Sequence, residues 1–569
     1  MKKKLICALL SLAMIGTMLT GCGSETSEST STRKSISATS QKEKGNDRVK
    51  EATNDVARPE RVKETEEYEE EAYMTTEATA DCEYPVYDEQ NFNQFNAEEY
   101  SSVNENGFSK TQISPLSTFA ADVDTASYSN FRRFVTQGYG IEDFPSGAIR
   151  TEEMVNYFKY NYKDPGKNIF GVTAEISDCP WNEEAKLMML GVNTAEMDSK
   201  NVPDSNIVFL VDVSGSMKDA NKLPLIKNSM ELLLDSFDED DRISIVTYAG
   251  GVDVVLDGAR GDERREIMKA FSNLRASGST NGADGIVLAY DVAKKHFIED
   301  GVNRVIICTD GDFNVGLSSE AELEDLISEK KETGVFLSVL GFGMYNYSDT
   351  RMETLADKGN GNYAYIDTLS EAKKVLVDEM TSTFVTVAKD VKLQVEFNPA
   401  LVKEYRLVGY ENRAMAAEDF TDDKKDGGEM GAGHQVTAIY EIILNDDENE
   451  ALSDLKYQDI TVSKKGKNKD EYCTLKIAYK DPDGDKSNYL EFPIDMDNYT
   501  KRPSDDYIFA TSVAEMSLAL RHSEYLKDLS PTNALHEIAY TLEDLDDLDT
   551  YQNEFLDLVN EVISQSRGR

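Results

Sequence analysis

FLVDVSGSMKDAN, Phe209 to Asn221, begins as a buried strand and ends as something else. The apolar run Ile207 to Leu210 leads through Val211 into an acid, Asp212. Hydroxyls then stand at alternate positions, Ser214 and Ser216. A core strand gains nothing from such an ending, because buried polar groups cost free energy unless they find partners. The pattern therefore predicts a site at the strand's carboxyl end.

On either side of this stretch the chain alternates in type. SNIVFLVDV precedes a helical pattern, KLPLIKNSMELLLDSF, and RISIVTYAG precedes a short edge strand, VDVVLDG. The helices DERREIMKAFSNL and GADGIVLAYDVAKKHF lead to strand NRVIICTDG, and EAELEDLISEKKETG leads to VFLSVLGFG. TRMETLADKG then precedes GNYAYID, and SEAKKVLVDEMTSTFVTVA closes the unit. Apolar strands alternating with amphipathic helices predict an α/β unit, a mostly parallel sheet covered on both faces. In such sheets ligands bind beyond the carboxyl ends of the strands.

Two more loops at that edge carry matching groups. Thr280 sits in SGSTNGADG just ahead of a helix, and Asp310 ends strand RVIICTD. Asp212, Ser214, Ser216, Thr280 and Asp310 all offer hard oxygen. A hard divalent cation takes such ligands, Mg²⁺ before others, with Mn²⁺ or Ca²⁺ admitted by the same chemistry.

DVSGS, a threonine in a second loop and TDG at a third strand end resemble the metal-ion-dependent adhesion site of von Willebrand factor type A domains. The resemblance implies a Rossmann-like doubly wound sheet over residues 201–388. It implies direct metal contact by Ser214, Ser216 and Thr280. Asp212 and Asp310 would bind the metal directly or through water. A partner protein's Asp or Glu carboxylate would complete the shell, which implies binding and not catalysis. Two alternatives stand beside this. The metal could be mainly structural, or Asp212 could accept a phosphoryl group with Mg²⁺. Phosphotransferases of that kind carry a second acid two residues on, where this chain has Ser214. His536 lies in HEIAY, without the second histidine of a zinc protease motif, and SGSMK is no nucleophile elbow.

The flanks read differently. Residues 108–165, with STFAADVDTASYSNFRRFV and AIRTEEMVNYFKYNY, show helix-like spacing. NIFGVTAEIS and KLMMLGVNTAE, within 166–200, read as strands that join a later sandwich, which makes the α/β unit an insertion. Short alternating segments over 389–500, such as VKLQVEFNP and HQVTAIYEIIL, predict a mainly antiparallel β-sandwich. Residues 501–569 read as helical. Together these flanks resemble a bacterial lipoprotein family with a von Willebrand A domain, an associated N-terminal segment and a C-terminal domain of unassigned function.

The first residues, MKKKLICALLSLAMIGTMLTGC, place three lysines before a short apolar run. This pattern predicts a signal peptide over 1–21. Leu19-Thr20-Gly21-Cys22 resembles the lipobox of bacterial lipoproteins, which implies a diacylglyceryl group on Cys22. The expectation is an exported protein, lipid-anchored at the cell membrane or envelope and facing outside the cytoplasm. The lipid would be its one membrane attachment, since no later apolar run is long enough to span a bilayer. Residues 22–107 are rich in Ser, Thr, Glu and Lys and predict a disordered acidic tether.

The 569-residue chain carries a net charge of −46, which excludes nucleic acid as a partner. Among the six cysteines, Cys179 and Cys473 invite a disulfide and equally suit free thiols. KDPDGDKSNYLEF is calcium-loop-like in Asp481, Asp483 and Asp485, but Lys486 replaces the required glycine and Pro482–Gly484 favours a hairpin turn. Asp312 reads as helix-start charge, Trp181 as packing and His296 as surface.

Overall fold

The computed structural model describes residues 100, 102–145, 147–197, 202–279, 282–311, 320–344, 349–445, 470–482, 484–527 and 529–567. Cys22, tether residues 22–99 and 101, Thr280, Asp312 and Asp483 lie outside the described residues, as does the DITVSKK segment. The end of the range expected to be a disordered tether is instead tied to the fold: Tyr100 packs against Phe134, and Asn106 Nδ2 donates to the Leu407 and Gly409 carbonyls at 3.2 and 2.8 Å.

The chain opens with β1 (Ser109–Lys110), β2 (Leu116–Ala120), α1 (Ala126–Thr136) and α2 (Thr151–Asn156). STFA was expected to be helical and is instead strand β2, seated between its neighbours β13 (Ala414–Met415) and β11 (Thr386–Phe397). Five residues are too few to separate a helical period from an alternating one. Tertiary pairing decides here: the Phe119 ring packs on Tyr410 with centroids 4.8 Å apart.

β3 (Phe170–Asp178) and β4 (Lys186–Thr194) form an antiparallel pair, and β4 also pairs with β15 (Gln435–Leu444) along its whole length. With β12 (Val402–Val408) and β1 they make one sheet, ordered β1-β12-β15-β4-β3. The second sheet runs β13-β2-β11-β16-β17, where β16 is Glu471–Lys480 and β17 is Asn488–Asp495. β16 and β17 are consecutive strands paired antiparallel, Glu471 against Asp495 and Tyr479 against Asn488. Alternation along β4 fills two cores. Met188, Leu190 and Val192 pack between the sheets. Leu187 and Met189 face a helical layer built from α1, α2, α10 (Asp505–Leu520), α11 (Pro531–Glu543) and α12 (Thr550–Arg567). Cys179 belongs to the helical core and Cys473 to the core between the sheets, so no disulfide joins them, and both are free and buried.

Between β4 and β11 runs a third sheet, ordered β10-β9-β8-β5-β6-β7. Its strands are β5 (Ser205–Asp212), β6 (Arg242–Tyr248), β7 (Val252–Arg260), β8 (Val302–Thr309), β9 (Phe336–Phe342) and β10 (Tyr363–Ile366). All neighbours are parallel except β7, the antiparallel edge. On β5, Ile207, Phe209 and Val211 face α3 (Leu223–Leu233) and α4 (Arg264–Asn273). Val208 and Leu210 face α5 (Gly282–Lys295), α6 (Glu320–Lys331) and α7 (Asp349–Lys358). Both faces are covered, which is why β5 reads as an unbroken apolar run. The sandwich strand β11 starts at Thr386, inside the range assigned from sequence to the α/β unit.

Buried ion pairs join this sheet's surroundings to the rest. The Arg132 guanidinium of α1 donates to Asp367, Glu371 and, on α12, Glu554. Arg413 contacts Glu353 and Asp357 of α7 at 3.1 Å each. No described helix is long and apolar enough to cross a membrane.

Candidate metal centre

β5 and β8 run side by side, Val211 against Cys308, so Asp212 and Asp310 leave neighbouring strands at one edge of the sheet. Asp212 is fully buried and Asp310 is 2% exposed. The loop after β5 turns back at once, and Ser214 donates its backbone N–H to Asp212 Oδ1 at 2.7 Å. The Oγ atoms of Ser214 and Ser216 lie 2.9 Å apart, so both hydroxyls converge on one place.

Neighbouring loops hold this turn. Val213 donates to the Tyr248 carbonyl at 3.0 Å and accepts from Ser277 at 2.7 Å. Gly215 donates to the Gly278 carbonyl at 3.0 Å. Gly278 has φ +91°, and a Cβ there would meet the Gly250 nitrogen at 3.3 Å, so glycine suits both its backbone and its surroundings. Thr280 itself lies outside the described residues, but Ser277 and Gly278 bring its loop against the Asp212 turn.

Burial, helped by the charge of Asp310, pushes the Asp212 carboxyl up to about 7. The Tyr248 hydroxyl, raised well above its usual range by burial, lies beside it. Among the described residues Asp212 Oδ2 and Asp310 Oδ1 are buried with no hydrogen-bond partner of good geometry. Buried carboxylate oxygens are normally satisfied, and two orphans at one strand edge call for an explanation. A divalent cation supplies one. The residues present fit it: hard oxygens only, two carboxylates and two convergent hydroxyls. The described residues contain no cluster of three or more His, Cys, Asp or Glu side chains placed for a metal, so the hydroxyls are essential to this reading.

One participant was not foreseen. Lys222 places Nζ 2.9 Å from Asp310 Oδ2, with the lysine side chain 5% exposed. It stands at the start of α3, where the helix dipole disfavours a cation. That wrong-signed charge was the available signal. Of the residues set aside, Trp181 is buried and donates Nε1–H to Glu441 at 3.0 Å, and His296 bonds Asp257 at 2.7 Å.

A doubly wound sheet with hydroxyl and carboxylate loops at its carboxyl edge defines the von Willebrand factor type A class. The family description "von Willebrand factor type A domain" matches residues 206–379, and "von Willebrand factor" matches 94–189. "Uncharacterized protein YfbK, C-terminal" matches 382–564. YfbK of Escherichia coli (strain K12) is 43% identical over 440 residues, covering 76% of this chain and 75% of that protein. The chain belongs to the bacterial family of von Willebrand factor type A domain proteins that includes YfbK.

The inter-alpha-trypsin inhibitor heavy chain H3 of Mesocricetus auratus is 29% identical over 171 residues, covering 28% of this chain and 19% of that protein. A solved von Willebrand factor type A protein from Catenulispora acidiphila covers 71% of this chain and 91% of its own, at 15% identity and TM-score 0.40. Proximal thread matrix protein 1 of the mussel byssus, described with a zinc-occupied adhesion motif, has 20% identity and TM-score 0.26, covering 33% of this chain and 46% of its own.

Proposed function

We propose that this protein is a surface-anchored binding protein whose von Willebrand A domain captures a partner protein at a divalent-metal site. The observation that carries the reading is the pair of buried, unpartnered carboxylate oxygens, Asp212 Oδ2 and Asp310 Oδ1, beside the converging hydroxyls of Ser214 and Ser216. Asp212, Ser214, Ser216 and Asp310 would hold the ion, with Thr280 from the adjoining loop. A divalent ion bound there, Mg²⁺ by preference, supplies an open coordination position for a partner's Asp or Glu carboxylate.

The chain's residues prepare that encounter. The Ser214 amide fixes the Asp212 carboxylate, and the hydroxyls contribute oxygen without adding negative charge. Two carboxylates, one already engaged by Lys222, leave a bound cation with positive charge to offer. The net charge of −46 repels an acidic partner at long range, but screening over roughly 8 Å at physiological salt confines that penalty, and the contact itself is short. This mode is non-enzymatic. The lipobox-like sequence at Cys22 supports export and lipid anchoring outside the cytoplasm, with residues 22–99 as a spacer.

The test is capture of envelope proteins by the immobilised protein with and without EDTA. Partners should be released by chelator and absent from the Asp212→Ala variant. Capture that persists in excess chelator would end the reading. Mg²⁺-dependent phosphatase activity lost in the same variant would favour the enzyme alternative.

A further inference from the structure

We infer that Lys222 is a resident counter-cation of the metal centre, one that holds Asp310 when no metal is bound and weakens the site's affinity for a divalent ion. This inference rests on the metal reading given under the proposed function.

The ammonium is fixed from both ends. Nζ lies 2.9 Å from Asp310 Oδ2, and the two side chains are 5% and 1% exposed. The aliphatic stem lies against Gly343, just after β9, where a built Cβ would stand 2.2 Å from Lys222 Cε. Gly343 has φ +87°, and its carbonyl accepts the Tyr365 hydroxyl at 2.6 Å. The lysine is thus seated in a slot that a glycine keeps open. It does not reach out from the surface. It also stands at the helix end where a positive charge is disfavoured, so local helix stability does not account for it.

Charge decides the consequence. An uncompensated carboxylate as buried as Asp310 is costly, and Lys222 removes that cost in the metal-free chain. The same positive charge, held on one of the proposed ligand carboxylates in buried surroundings, would oppose a divalent ion bound by that carboxylate. The coupling is reciprocal: what Lys222 takes from metal affinity, the metal takes from the Lys222–Asp310 pair. A domain built this way stays folded when empty and loads only where divalent ions are plentiful.

The test is Mn²⁺ titration of the full chain, with free Mn²⁺ read by electron paramagnetic resonance, for wild type, Lys222→Met, Lys222→Gln and Lys222→Arg. The neutral variants should bind at least tenfold more tightly than wild type, and the arginine variant within threefold of it. Thermal unfolding adds a second readout. In chelator the neutral variants should melt below wild type, and saturating Mn²⁺ should raise their midpoints more than it raises the wild-type midpoint. Equal or weaker binding by the neutral variants would overturn the counter-cation role and leave the metal site standing. No saturable Mn²⁺ in wild type or any variant would end both. If Lys222→Met fails to fold, Lys222→Gln, which keeps a donor for Asp310, carries the comparison. If neither folds, Lys222 is a fold anchor and the inference is wrong.

Discussion

Glu441 and Asp212 are both fully buried carboxylates, and the molecule treats them in opposite ways. Glu441, on β15, accepts from Arg406 Nε at 3.1 Å, from Trp181 Nε1 at 3.0 Å and from Asn182 Nδ2 at 3.2 Å. The Arg406 guanidinium in turn stacks over the Tyr525 ring at 3.9 Å. Both oxygens are satisfied by the fold itself, and the ion pair has no capacity left. Asp212 receives a backbone bond from Ser214, has the Tyr248 hydroxyl beside it, and keeps its second oxygen without a hydrogen bond of good geometry. A structural acid is closed by its own chain, whereas an acid kept for a ligand is left half open.

Glu515 shows a third arrangement. It lies in the helical core with Oε1 unpartnered, and burial pushes its carboxyl up to about 8. Burial and the nearby charge of Glu537 both favour its neutral form, so protonation takes the place of a partner. An orphaned oxygen alone therefore does not mark a ligand site. The converging groups around Asp212 make the difference.

The largest effect should come from the closed acid. Glu441→Ala leaves the Arg406 charge buried without its partner and should cost about 3–5 kcal/mol in denaturant unfolding. Asp212→Asn, measured in chelator, should stay within about 1 kcal/mol of wild type or exceed it, because it removes a desolvated charge with little to lose. Equal losses in the two variants would break the distinction. Glu515→Gln sharpens it through pH. The folded-state pKa is raised, so the wild type loses stability as pH rises from the ordinary carboxylate range through about 8, while the amide does not. The advantage of the variant should therefore grow between pH 6 and pH 8, as read from denaturant midpoints. Gly278→Ala, which forces a side chain onto φ +91° in the loop that holds the Asp212 turn, should cost about 1–2 kcal/mol in the same assay.

The sequence was readable where function is written in short local runs. DVSGS and TDG each place their oxygens within a few residues, and the strand-then-helix rhythm predicts the sheet whose edge they share. Lys222 was not readable, because its partner lies 88 residues away and the sole hint is a cation at a helix start. Arg132, Arg406 and Arg413 are equally opaque, since each finds its acids only after distant elements pack. STFA failed for a simpler reason. The five residues of β2 that contain it carry too little pattern to choose a period, and pairing with β11 made the choice.

The central claim is that the turn after β5 and the end of β8 form a divalent-metal site. Mn²⁺ binding to wild type, Asp212→Asn and Ser214→Ala tests it most directly, with circular dichroism confirming that each protein is folded. The account predicts a single saturable ion in wild type and its loss in both variants. Undiminished binding in folded Asp212→Asn, or no saturable ion in wild type, would contradict it.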